Sequence, residues 1–150
     1  MPEASASRQA RLVMAFDFGR RRIGVAAGDT LSATATPLAA VLAGQGGQQW
    51  TTIGALVRDW QPALAVVGLP YNVDGSESEL STAARAFAGE LEVRYGLRVE
   101  MIDERYSSLE AHERLQQARE TGVRKRRVGK ADIDAAAACI ILERWMAENS

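Results

Sequence analysis

Residues 14–27 read Met14-Ala15-Phe16-Asp17-Phe18-Gly19-Arg20-Arg21-Arg22-Ile23-Gly24-Val25-Ala26-Ala27. Two short apolar segments flank a basic turn, the pattern of paired strands. Asp17 is out of keeping with its neighbours, because the run from Leu12 to Phe18 otherwise suits the middle of a sheet. An unpaired carboxylate there costs several kcal/mol by order of magnitude, so it must be paired, hydrogen-bonded or bound to a cation. The rest of the chain is read for its companions.

Outward from this stretch, Leu12 to Phe18 is a first strand and Arg22 to Ala27 a second. Gly28-Asp29-Thr30 is a turn, with Asp29 as turn former, and Thr34 to Leu42 is a third strand. Pro37 makes that strand an edge strand or gives it a bulge. Short connections make the three an antiparallel meander. Trp50, Ile53, Val57 and Trp60 recur at helical spacing up to Gln61-Pro62. Ala63 to Val67 is a buried strand, followed by the loop from Gly68 to Gly75. Ser76 and Glu79 have capping-box spacing ahead of a helix with Leu80, Ala84, Phe87 and Leu91 on its inner face and Gly96 at its end. Leu97 to Ile102 is a fifth strand. Ser107 and Glu110 open a further helix that ends near Gly122, and a last helix runs from about Lys130 to Glu148. Two later strands that each follow a helix favour parallel crossovers. The expected architecture is therefore α/β: a five-stranded mixed sheet, an antiparallel meander plus two parallel strands, flanked by helices.

The chain has 150 residues, suited to one domain over 11–150 behind a loose tail at 1–10. The tail lacks the apolar block of a secretion signal, and no apolar run approaches the ~18 residues of a membrane span, so the expectation is a cytoplasmic protein without membrane contact. The lone Cys139 excludes a disulfide framework and a zinc quartet. His112-Glu113 lacks the second histidine of a zinc protease, since position 116 is Gln116, and His112 reads as a helix-surface residue. Net charge is −1, so the chain as a whole is not a basic nucleic-acid binder. Its cations are clustered, however, at Arg20 to Arg22 and at Arg124, Lys125, Arg126, Arg127 and Lys130. Taken alone, each cluster reads equally as a solvated turn.

Three carboxylates stand out: Asp17 in the first strand, Glu104 where the last strand ends, and Asp134 in the first turns of the last helix. If the first and last strands are neighbours, Asp17 and Glu104 share one sheet edge, and the helix start brings Asp134 to it. Clustered carboxylates repel unless a cation sits among them, and all-oxygen ligands favour Mg2+ or Mn2+. Two such ions activate water and stabilise the leaving oxygen of a phosphodiester. On the last helix Asp134 shares the register of Ala138, Ile141, Leu142 and Trp145, the more apolar stripe, whereas Asp132 is placed as an N-cap. Asp132 stays open as a second ligand candidate. Asp103 points away from Glu104 along a continuing strand and is set aside. The structural alternatives are an Asp17–Arg22 ion pair and a solvated strand end at Asp103-Glu104-Arg105.

Asp17-Phe18-Gly19 with Arg22-Ile23-Gly24-Val25-Ala26, Gly68-Leu69-Pro70 with Asp74-Gly75, Asp103-Glu104-Arg105 with Ser107-Ser108, and Asp134 with Ala136-Ala137 and Ile141-Leu142-Glu143 occur in that order. On these motifs the chain resembles the bacterial YqgF family, also called RuvX, over Leu12 to Glu148. Its members are described as pre-16S rRNA nucleases or Holliday-junction-resolvase-like proteins. The resemblance implies a ribonuclease-H-like fold, divalent-metal phosphodiester hydrolysis, and trimming of the 5′ end of pre-16S rRNA in ribosome biogenesis. It carries the acidic positions onto Asp17, Glu104 and Asp134 and the arginine of the first motif onto Arg22. With Arg105 and the cluster from Arg124 to Lys130, Arg22 is a candidate nucleic-acid contact. Tyr106 departs from the family's Leu or Phe and offers a ring for base stacking.

Three other functions compete with an rRNA nuclease. A structure-specific nuclease on branched or single-stranded DNA would use the same chemistry, and a junction resolvase would work as a homodimer rather than a monomer. A non-catalytic nucleic-acid-binding module need not keep all three acids. An ATPase is suggested by Asp17-x-Gly19 before a hairpin, but the chain is too short for a second lobe.

Overall fold

Leu12–Phe18 forms the central strand, β1, of a five-stranded sheet. The structure is a computed structural model and describes residues 11–44, 47–70, 78–103, 107–120 and 129–149. The other strands are β2 (Arg22–Asp29), β3 (Thr34–Leu42), β4 (Leu64–Leu69) and β5 (Arg98–Asp103). The helices are α1 (Gln49–Trp60), α2 (Glu79–Tyr95), α3 (Ser107–Glu120) and α4 (Lys130–Glu148). Strand order is β3-β2-β1-β4-β5. β1 pairs antiparallel with β2 and β2 with β3, while β4 runs parallel to both β1 and β5. The mixed sheet and its meander are as the sequence predicts. One condition fails: β1 and β5 are not neighbours, because β4 lies between them. The expected tail at 1–10 and the proposed capping serine Ser76 lie outside the described residues.

β1 is apolar on both sides because both sides are covered. Met14 and Phe16 face α1 and α2, where Phe87 packs edge-on to Phe16 at 5.6 Å and stacks on Trp50 at 5.2 Å between ring centres. Val13 and Ala15 face α4, against Ile141, Leu142 and Trp145. Trp145 donates its Nε1–H to Glu100 of β5 at 2.9 Å, which satisfies the indole of a buried ring. α3 packs outside α4 through Ala111 against Ala137 and Ile140, with Arg114 on Glu143 at 2.7 Å.

β3 is an edge strand, and Pro37 does what its ring dictates there. The ladder steps from Val25 opposite Ala39 to Ala26 opposite Pro37, which leaves Leu38 as the extra residue of a bulge. Asp29 accepts the Leu31 N–H at 2.8 Å in the turn before β3. Helix α2 is capped by Ser78 rather than Ser76: its hydroxyl accepts the Ser81 N–H, and the Ser81 hydroxyl accepts the Ser78 N–H. Gly96 ends that helix at φ 64°, a backbone angle glycine adopts without strain. Among the described residues no helix is long and apolar enough to cross a membrane.

Candidate active site

Alternation along β2 puts Arg22, Gly24, Ala26 and Gly28 on the face that α4 covers. The row is small by necessity. A Cβ on Gly24 would land on the Asp134 carbonyl oxygen, and one on Gly28 would sit 2.8 Å from the Leu142 side chain. Ala26 packs between them on Ala138 and Cys139. Asp134, Ala138 and Leu142 are spaced four apart, so one stripe of α4 lies along one row of β2. Asp17 stands opposite Gly24 in the β1–β2 ladder, and residues so paired point to the same face. The strand that carries one acid and the helix that carries the other thus meet over a missing side chain.

The electrostatics follow. The Asp17 carboxyl, partly buried, has its pKa raised from an ordinary 3.8 to about 7, first by burial and second by the charge of Asp134. Among the described residues no group donates a hydrogen bond to it or pairs with it. Asp134 differs, because its carboxylate accepts the Arg22 Nε–H at 2.5 Å, with the two side chains 20% and 29% exposed. The ion pair considered between Arg22 and Asp17 is therefore made with Asp134 instead. The reason is the row itself: Arg22 and Gly24 share a face, and Gly24 draws Asp134 onto it.

Asp132 is not an N-cap. Gly129 holds that position, and the Asp132 carboxylate accepts the Gly129 N–H at 3.0 Å from the third helical position. Lys130 is exposed at the first residue of α4. Glu104, Arg105, Tyr106 and the cluster Arg124, Lys125, Arg126 and Arg127 lie outside the described residues, as do the side chains of Ser107, Glu110 and His112. Arg20 in the β1–β2 turn reaches Glu79 of α2 at 3.2 Å, an exposed pair of small energetic weight. Sequence reasoning missed the seat that Gly24 provides. Its signal was present as small residues at alternate positions of β2, matched by a four-residue spacing in the last helix.

The raised Asp17 pKa has a thermodynamic consequence with a definite sign. Between pH 4 and 7 the folded chain keeps a proton on Asp17 that the unfolded chain has lost, so this group costs stability as pH rises through that window. In chelator-treated protein, Asp17→Asn is expected to be more stable than wild type at pH 8 by on the order of 2 kcal/mol. At pH 4 the two should be about equal. Urea melts at the two pH values measure the difference.

The donor chemistry suits a divalent cation. Two carboxylates lie close enough to interact, one of them partly buried with no donor among the described residues, and hard oxygen ligands suit a divalent cation such as Mg2+ or Mn2+ rather than zinc. Among the described residues no group of three or more His, Cys, Asp and Glu that could hold a metal ion is assembled.

The chain has known relatives in sequence and in fold. The RuvX family model, described as Holliday junction resolvase, matches residues 11–148. A protein of Nitrosococcus oceani named "Putative pre-16S rRNA nuclease" is 44% identical over 98% of this chain and 93% of its own length. One of the same name from Chromobacterium violaceum is 46% identical over 88% and 94%. Among solved structures, Thermus thermophilus RuvC in complex with a Holliday junction substrate superposes with a TM-score of 0.55 at 14% identity, covering 92% of this chain and 94% of that one. The fowlpox virus resolvase with its junction DNA gives 0.54 at 11% identity over 92% and 98%. These likenesses show the fold, which is ribonuclease-H-like. On the family match and the identity to these relatives, the chain belongs to the RuvX family.

Proposed function

We propose that this protein is a divalent-metal-dependent nuclease that hydrolyses phosphodiester bonds and processes the 5′ end of pre-16S rRNA. One observation carries the reading. Asp17 is a partly buried acid beside a second acid, raised to a pKa of about 7 and given no donor among the described residues, an arrangement that a cation would relieve. The name borne by the curated relatives supports rRNA as substrate, and the family description and fold support a nuclease. Asp17 and Asp134 would hold the ion together with Glu104, which follows β5 in sequence. When bound, such ions lower the pKa of an attacking water and neutralise the leaving oxygen. The chain's own cations serve the substrate: Arg22, Arg105, the run from Arg124 to Arg127, and Lys130 hold phosphates of the backbone.

Labelled 5′ fragments of pre-16S rRNA and a DNA four-way junction, each with Mg2+, Mn2+ or chelator, test the reading. Cleavage of the RNA that stops with chelator is expected. Cleavage of the junction alone would support the second reading, a junction-resolving DNA nuclease, which the family description favours. Undiminished cleavage with chelator would overturn both.

The basic cluster makes a separate prediction. Replacing Arg124, Lys125, Arg126 and Arg127 together by Gln should weaken RNA binding and lower the slope of log affinity against log salt by about 3. An unchanged slope in a filter-binding titration would make the cluster a solvated turn.

A further inference from the structure

Arg22 holds Asp134 through Nε, and that choice of atom matters. A guanidinium that clamps a carboxylate frequently does so with two of its nitrogens. Here the side-on Nε–H is engaged, and among the described residues the two Nη groups have no partner. A guanidinium brings a full positive charge to whatever carboxylate it contacts. That of Arg22 sits on one acid of the pair and leaves the other, Asp17, without a counter-charge among the described residues. The strand fixes this arrangement, since Arg22 lies two residues before Gly24 on the row that seats α4.

We propose that Arg22 is a resident counter-ion that competes with the divalent cation for Asp134, so that metal entry releases the guanidinium toward the incoming phosphate. The inference rests on the metal-dependent reading above and deepens it. Arg22 is thus a positioning residue before it is a phosphate contact. A fixed positive charge must be displaced or tolerated when a second cation arrives, so Arg22 weakens metal binding in the absence of nucleic acid. The cost is recovered when the freed fork takes a phosphate, which ties tight metal binding to substrate. Substrate and ion then favour the same rearrangement of one side chain.

Two measurements on the whole protein test this. The first is Mn2+ titration of wild type and Arg22→Gln, followed by calorimetry or by electron paramagnetic resonance. Arg22→Gln should bind Mn2+ about five-fold more tightly, or more, as expected for removing a unit charge beside the ligand. Equal or weaker binding by a folded Arg22→Gln would overturn the inference, since a merely structural arginine loosens the site when lost. The second uses wild type, and stands if that variant fails to fold. The Arg22 Nε–H resonance, assigned by its absence from Arg22→Lys, should move on addition of Mg2+ as its bond to Asp134 is broken. If Mg2+ shifts the Asp17 and Asp134 carboxyl carbons while the Nε–H stays fixed, the counter-ion role is wrong and the metal reading survives. If Mg2+ shifts none of them and Mn2+ does not bind, the metal reading itself fails and takes this inference with it.

Discussion

Asp17→Asn is expected to lower the rate of metal-dependent cleavage by about a thousand-fold while the protein stays folded, a loss of roughly 4 kcal/mol of transition-state stabilisation. The two halves of that result belong together. Asparagine is nearly the same size and removes the charge that burial and Asp134 both oppose, so the fold gains what the site loses. A general unfolding lesion would give the opposite pattern, with activity and melting temperature falling together. Single-turnover cleavage of a pre-16S rRNA fragment at saturating enzyme, alongside a thermal melt, separates the two. If purified Asp17→Asn cut as fast as wild type, Asp17 would have no part in the chemistry.

Gly24→Ala should be severely damaging, because the added carbon would land on the Asp134 carbonyl oxygen. The new carbon has no room to rotate away, since it is fixed to the strand backbone and meets the backbone of Asp134 and Ala135 rather than a flexible side chain. The helix must lift from β2, and with it the contacts of Ala138 on Ala26 and Leu142 beside Gly28. A destabilisation of about 3 kcal/mol or more is expected, above the usual range for overpacking because a whole element moves. Cleavage should fall as well, because Asp134 leaves Asp17. Chemical denaturation reads the first effect. Gly44→Ala, where an added carbon meets nothing within 4 Å, is the matched control.

How far the sequence could be read depends on what each signal encodes. β1 and β4 were legible because strands covered on both faces are continuous apolar runs, and α4 because its apolar stripe is long. Pro37 announced an edge strand or a bulge, and it marks both. The start of α2 was misplaced because several serines precede it and spacing alone does not say which hydroxyl finds the free N–H; the cap is Ser78, with Ser81 closing the box. Strand order was the larger gap. Nothing local in β1 or β5 states that β4 lies between them, since order is set by how helices cross the sheet.

The site shows the same division. Asp17 was conspicuous because a charge in an apolar run is costly wherever the strand ends up. The stripe argument put Asp134 on the face of the last helix that meets the sheet, and Ala138, Ile141, Leu142 and Trp145 do line that contact. What the residue types concealed was the partner of Arg22. Asp17 is five residues away and Asp134 more than a hundred, yet the guanidinium bonds the distant one, because a glycine lets helix backbone touch strand backbone. Contacts made by an absent side chain leave only an indirect trace in sequence.

The proposed gathering of remote carboxylates around a divalent ion is open to direct observation. Anomalous diffraction from crystals soaked in Mn2+ tests it most directly. A peak at coordination distance from the carboxylates of both Asp17 and Asp134 is the expected result. Density for Mn2+ elsewhere, with none between those two side chains in a protein that cleaves under the same conditions, would contradict it.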